Sequence, residues 1–258
     1  MKIKSYVKVL ASICFSTLLF LITGCSAQNQ ALSNWAANKI SVDGEISDWS
    51  GIIKKEEGKN YSLGISNDDK FFYLSIATDN RMTMMQMLRN GITIWIRPYG
   101  YETDVFGIKY PIAKQTDLAE LRGVNRDMMN PANLENLFKS FLEKQNELEI
   151  INPEKYPLAA LPIANNMGIK AKLGYGNQIF TYELQIPLMV TDDHQFALGA
   201  LPGEDFGVRI EVDEFKIGGT GGGMGQGGGM RQGGNTMPRA FQLPEAINHS
   251  IDIKLGKN

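Results

Sequence analysis

Four residues close together in the chain have side chains suited to holding a ring-shaped ligand: Trp95, Arg97, Tyr99 and Tyr101. Aromatic rings stack on flat apolar faces such as those of sugars, and flanking polar groups fix hydroxyls by hydrogen bonding. No other stretch of the chain combines aromatic and polar side chains so densely. We therefore take these four residues as the candidate ligand-binding set, with a glycan as the ligand.

The segment that must position this set is a predicted β-strand with the sequence "ITIWIRP". Side chains of a strand alternate between its two faces, so the isoleucines at 92, 94 and 96 share one face. Trp95 and Arg97 then share the other face. If the isoleucines face the interior, Trp95 faces outward. There it either meets a ligand or packs under a long helix, and both alternatives remain open.

The rest of the chain repeats this pattern of short strands and polar turns. Examples are "YSLGIS" and "FFYLSIATD", which flank an Asn-Asp turn, and "MGIKAKLGY" and "QIFTYELQIPL", which flank Gly176-Asn177. Two helices interrupt the strands, one over 81–90 ahead of Gly91 and one over 130–148 that begins at Asn130-Pro131. Strands without βα alternation predict a mainly β protein, an antiparallel, jelly-roll-like β-sandwich with one or two inserted helices.

One segment, residues 218–234, consists mostly of glycine. Such a sequence has almost no apolar side chains whose burial could offset the entropy of ordering its backbone. We expect a disordered loop within the sandwich domain. It lacks the strand-to-helix context and the Lys-Ser/Thr pair of a phosphate-binding loop.

The N-terminus has the order of an export signal. Lys2, Lys4 and Lys8 precede an apolar run over 9–22, which is too short to span a bilayer comfortably. The run ends in "LITGC", which resembles the lipobox of bacterial lipoproteins. The resemblance implies cleavage before Cys25 and diacylglycerol on its thiol. The predicted organisation is a signal peptide over 1–24, a tether over 25–38 and a β-sandwich domain over 39–258.

The lipobox also implies a location and a membrane partner. It places the protein in the bacterial cell envelope, anchored to a membrane by lipid, and Ser26 after the cysteine favours the periplasmic face of the outer membrane. The net charge of −2 argues against nucleic acid as a partner, because phosphate binding needs a basic surface. Cys14 lies within the signal, so the mature chain has no cysteine pair for an internal disulfide.

A second resemblance is carried by "ISVDGEISDW" at 40–49 and by "TYELQIPL", which places Glu183, Ile186 and Pro187 on an E-x-x-I-P pattern. In this order, and with "DDKFFYLSIATD" and "GITIWIRP" between them, these motifs resemble family 9 carbohydrate-binding modules and their relatives. The resemblance covers residues 40–255. It implies a β-sandwich of a kind that binds a glycan.

Two alternatives come from other residues. Some relatives of this sandwich hold haem, and the methionines at 82, 84, 85 and 87 are possible ligands, although methionines at helical spacing more often fill cores. A protein-interaction scaffold of the envelope is the other alternative. We expect neither a cofactor nor a metal. Asp68 and Asp69 could suggest a calcium site, but they are residues typical of a tight turn, and no further spaced carboxylates follow them. His194 and His249 have no catalytic motif around them, which argues against an enzyme.

Overall fold

The structure is a computed structural model, and it describes residues 30–112, 114, 131–152, 156–214 and 244–258. The predicted signal peptide, Cys25 and the glycine-rich segment 218–234 lie outside the described residues. Among the described residues, no helix is long and apolar enough to cross a membrane.

The described residues form two β-sheets. The first has seven strands in the order β1-β13-β12-β6-β7-β8-β9, and the second has the order β10-β11-β5-β4-β2, with β3 paired to β4. Only the pairs β1/β13 and β2/β4 are parallel among those described. The strands are β1 (Gln30–Leu32), β2 (Asn34–Trp35), β3 (Lys54–Lys55), β4 (Ser62–Asn67), β5 (Phe71–Thr78), β6 (Ile92–Arg97), β7 (Phe106–Tyr110), β8 (Glu147–Asn152), β9 (Tyr156–Pro162), β10 (Lys170–Gly176), β11 (Ile179–Pro187), β12 (Asp205–Val212) and β13 (Ile247–Lys254).

The two sheets pack face to face around a shared apolar core. Phe72 of β5 meets Phe206 of β12 edge-on, with ring centroids 5.0 Å apart, so the contact joins one sheet to the other. The isoleucines at 92, 94 and 96 are fully buried, as the alternation in β6 predicted. The predicted antiparallel β-sandwich with inserted helices is confirmed.

In the described part of the chain, two α-helices and one short 3-10 helix connect the strands. Helix α1 (Arg81–Asn90) is capped by the Asn80 side chain and ends at Gly91, whose φ of +74° suits glycine. Helix α2 (Pro131–Glu143) packs on β10 through Phe138, whose ring centroid lies 4.9 Å from that of Tyr175. The 3-10 helix covers Ile46–Trp49.

The expected boundary of the tether is wrong. The domain begins by Gln30 rather than at 39, because β1 pairs with β13 and β2 pairs with β4 inside the stretch assigned to the tether. Trp35 is therefore part of the sandwich.

Candidate functional site

The turn at Asp43-Gly44 is tied to Glu183, a fully buried residue in the middle of β11. The backbone N–H groups of Asp43 and Gly44 donate to Glu183 Oε2 over 2.9 and 2.7 Å. The Trp49 indole N–H donates to the other carboxylate oxygen over 2.6 Å. These hydrogen bonds connect the stretch "ISVDGEISDW" to the Glu183 motif on β11, although more than a hundred residues separate the two in the chain.

Three glycines make this arrangement possible. Gly44 has φ of +87°, and a Cβ there would lie 2.8 Å from the carbonyl oxygen of Leu173. A Cβ added to Gly174 would collide with the backbone of Gly44. A Cβ added to Gly64 would collide with the Trp49 ring. The turn and the indole thus lie directly on the second sheet.

The electrostatics of Glu183 balance burial against hydrogen bonding. Burial raises the pKa of this carboxyl to about 7, and the N–H donors from Gly44, Trp49 and Asp43 partly offset the rise. The group is enclosed by the chain and presents no open surface to a ligand. We conclude that the 40–49 motif and Glu183 hold the fold together and form no binding site.

An open cleft lies where β6 ends. It has a volume of about 410 Å³ and is lined by Gln30, Arg97, Pro98, Tyr99, Gly100, Tyr101, Asp205, Phe206 and Asp252. Three of the four predicted ligand-binding residues therefore come together here. The strands β6, β12, β13 and β1 position the polar residues, and the turn after β6 positions the tyrosines.

The floor of the cleft is polar. The Arg97 guanidinium forms an ion pair with Asp252, and it lies over Gly207, where an added Cβ would collide with it. The Gln30 side chain donates to Asp205 Oδ1 over 3.2 Å. One guanidinium and two carboxylates line the cleft among the described residues, so its charge is slightly negative.

The rim of the cleft is aromatic. Tyr99 is 52% exposed and Tyr101 is 60% exposed, so both rings are open to a ligand. They follow Pro98 in a turn where Gly100 has φ of +79° and the Tyr101 backbone N–H donates to the Pro98 carbonyl over 3.1 Å. Two exposed rings beside a hydrogen-bonding floor are the combination that sugar binding requires.

Trp95, the fourth predicted residue, lies outside the cleft. Its indole N–H donates to Glu211 Oε2 over 2.8 Å, and the Arg209 guanidinium carbon lies 5.0 Å from the ring centroid. Gly107 leaves room for the ring, since an added Cβ would lie 3.0 Å from Trp95 Cε3. Arg209 is held in place by Asp104 over 2.7 Å. Trp95 thus faces outward, and its partners there are the side chains of Glu211 and Arg209 rather than the long helix.

Sequence reasoning missed the acidic residues of the cleft. Asp252 is 155 residues from Arg97, and no local pattern links the two. The available signal was the polar face of the last strand, where Ser250, Asp252 and Lys254 alternate with buried Ile251 and Ile253. That pattern predicts that Asp252 lies on a solvated face, but it does not reveal that Arg97 is its partner.

The methionines and histidines named as alternatives have these surroundings in the structure. Met84 and Met87 are buried in the core, whereas Met82 and Met85 are half-buried. Among the ranges that the structure describes, no three His, Cys, Asp or Glu side chains could together hold a metal ion. His249 Nδ1 lies 2.9 Å from the Tyr61 hydroxyl, and burial lowers the pKa of this histidine.

Two solved structures are similar to this chain. Both are of a carbohydrate binding module family 9 (CBM9) from Caldicellulosiruptor kristjanssonii, one in complex with cellotriose and one in complex with glucose. Each has 12% sequence identity and a TM-score of 0.38, and covers 89% of this chain and 95% or 97% of the module. No protein-family model matches the chain, and the comparison with curated proteins finds no match.

Proposed function

We propose that this protein is a lipid-anchored binding protein of the bacterial cell envelope, and that its cleft holds a glycan. The observation that supports this most directly is the pair of exposed tyrosines, Tyr99 and Tyr101, beside the Arg97–Asp252 ion pair. The protein would act by holding the glycan and would not transform it.

The cleft has the parts that such binding needs. A tyrosine ring can stack on the apolar face of a pyranose, while the guanidinium donates to sugar hydroxyls and the carboxylates accept from them. Because Arg97 is already paired with Asp252 and Asp205 adds a second carboxylate, the described residues that line the cleft offer no unpaired cation to an acidic sugar. The charge of the cleft therefore favours neutral glycans.

The anchor is the second part of the proposal. The order of positive residues, apolar run and "LITGC" supports lipidation of Cys25 after removal of residues 1–24. We place the protein on the periplasmic face of the outer membrane. A Cys25→Ala variant is expected to stay unprocessed or to become soluble. Detergent partitioning and intact mass measure this, and an unchanged mass with unchanged partitioning would contradict the anchor.

A glycan array tests the binding function. Residues 26–258 are expressed without the signal and compared with a Tyr99→Ala/Tyr101→Ala double variant and with Met189→Ala. Met189 is an exposed apolar residue that does not line the cleft, so it serves as the matched control. We expect the wild type and the control to bind the same neutral glycans and the double variant to lose most of the signal. Equal binding by all three proteins would contradict a site at this cleft.

A pull-down from detergent-solubilised membranes distinguishes glycan binding from a scaffold role. The same three proteins serve as baits. Protein partners that are retained by the double variant, together with an empty glycan array, would favour the scaffold.

A further inference from the structure

The first described strand brings the N-terminus of the domain to the cleft. Gln30 opens β1, pairs in register with Asp252 and lines the cleft. Five residue steps separate Gln30 from Cys25, and a fully extended chain of that length spans at most about 18 Å. A lipid on Cys25 would therefore hold the cleft close to the bilayer surface.

The same end of the sandwich exposes apolar side chains. Leu32, two residues after Gln30, is 71% exposed, and Leu201 is 50% exposed. The Leu201 backbone N–H donates to the Glu204 side chain over 2.7 Å, next to Asp205 of the cleft. Together with Tyr99 and Tyr101, these leucines form what we call the apolar rim.

Basic residues accompany the apolar rim. Lys254 pairs in register with Leu32, and Lys257 packs against Gly203 in the turn that carries Leu201. Both lysines are exposed, and Lys254 pairs in register with Asp205 of the cleft. Tyrosines favour the headgroup level of a membrane and lysines are attracted to lipid phosphates, so the rim has the composition of a membrane-facing surface.

The opposite end of the sandwich is more polar. There β6 begins after α1, and a second cavity is lined by Lys59, Asn60 and Glu245 together with Thr83 and Gln86 of α1. Six residues of β6 separate the two ends, which corresponds to roughly 20 Å. The two ends therefore differ enough in composition and position to orient the domain on a surface.

We infer that Leu32 and Leu201 of the apolar rim rest on the lipid bilayer that carries the anchor, while Tyr99 and Tyr101 lie at the level of the lipid headgroups and stay open to a glycan. The cleft then opens into the headgroup layer. This inference rests on the proposed lipidation of Cys25. It adds a protein surface to the acyl chains as a second point of attachment, and it fixes which end of the domain faces the membrane.

Single thiols report the orientation. The mature chain has no cysteine except Cys25, so Leu201→Cys and Lys59→Cys each introduce one site for a fluorescent label. The label at Leu201 reports on the cleft end of the domain and the label at Lys59 on the opposite end, and Leu32→Asp separates contact by the rim from proximity given by the short connection. The lipidated proteins are reconstituted in phosphatidylcholine vesicles that contain a quencher lipid.

The inference predicts several-fold stronger quenching of the label at Leu201→Cys than of the label at Lys59→Cys. Adding Leu32→Asp to the Leu201→Cys protein, with the anchor intact, should reduce the quenching toward the level of the Lys59 site. Equal quenching at the two sites, or stronger quenching at Lys59→Cys, would overturn the inference.

Two further measurements separate this outcome from failure of the proposed function. Intact mass shows whether Cys25 carries lipid, and an unlipidated mature protein would overturn both the anchor and the membrane contact. The glycan array uses the unanchored chain. An empty array with strong quenching at Leu201→Cys contradicts the glycan cleft and supports the membrane contact. A positive array with equal quenching at the two labelled sites supports the glycan cleft and contradicts the membrane contact.

Discussion

The Glu183 centre and the Arg97 cleft use the same kinds of groups for different purposes. Each joins a carboxylate to nitrogen donors and lies next to aromatic rings. At Glu183, the backbone of the Asp43-Gly44 turn and the Trp49 indole donate hydrogen bonds to the two carboxylate oxygens, and Trp49 itself is almost completely buried. At the cleft, Arg97 and Asp252 satisfy each other while Tyr99 and Tyr101 remain exposed. Exposure of the rings separates a structural centre from a candidate binding site.

Trp95 is intermediate between these two regions. It lies on an outer sheet face, like the cleft residues, but Glu211 and Arg209 occupy its polar edge and ring, as protein groups do around Trp49. An outward-facing aromatic residue is therefore not by itself a binding residue.

The largest effect is expected at Glu183. A Glu183→Ala change leaves two backbone N–H groups and the Trp49 indole N–H buried without their acceptor. Such losses cost about 3–5 kcal/mol in the free energy of unfolding. Urea denaturation of the unanchored domain measures this, with Glu204→Ala on the surface turn as the control. A loss no greater than that of the control would show that the centre is not structural.

The stability should also depend on pH through Glu183. Its folded pKa of about 7 lies above the usual value of 4.5, so the folded state holds the proton more tightly than the unfolded state. The contribution is fully present below about pH 4.5 and is lost as the pH rises through 7. Relative to Glu183→Gln, the wild type should lose about 3 kcal/mol across this range. A difference between the two proteins that is constant with pH would contradict the raised pKa.

Trp95→Ala should have a smaller effect on stability. The change removes a half-buried ring, its hydrogen bond to Glu211 and its contact with Arg209, which together are worth about 1–3 kcal/mol. A fully buried tryptophan would cost more. Thermal unfolding measures the loss. A loss as large as that of Glu183→Ala would place Trp95 among the core residues.

The smallest effect is expected from the glycine-rich segment. Replacing residues 219–233 with a short Gly-Ser linker should change stability by no more than about 0.5 kcal/mol, because closure entropy varies slowly with length. The flanking chain is held independently, since Gln86 donates to the carbonyls of Asp213 and Glu245 over 3.0 and 2.7 Å. A loss of several kcal/mol would show that the segment packs on the domain.

Much of the fold could be predicted because its signals are local. The alternation in "ITIWIRP" placed the isoleucines of β6 together on one face, which is the face the structure buries, and Gly91 marked the end of α1. β1 and β2 were missed because strands of three and two residues at sheet edges carry too little alternation to be recognised. Their pairing is fixed by distant strands rather than by their own composition.

The site was predictable only where it is contiguous. Arg97, Tyr99 and Tyr101 come from one strand end and its turn, so their proximity follows from the sequence. Asp205 and Asp252 reach the cleft through strand pairing over long separations, which a single sequence does not reveal. The partners of Trp95 were missed for the same reason, since Arg209 pairs with it in register from another strand.

Calorimetric titration of three unanchored proteins tests the central claim most directly: wild type, Tyr99→Ala/Tyr101→Ala and Trp95→Ala. The ligand is the neutral glycan that gives the strongest array signal. The account predicts that the tyrosine variant keeps its stability within about 0.5 kcal/mol and binds at least about tenfold more weakly, because each lost stacking contact is worth about 1 kcal/mol. Trp95→Ala should bind like the wild type despite its lower stability. Loss of binding in Trp95→Ala, with wild-type binding in the tyrosine variant, would contradict the account.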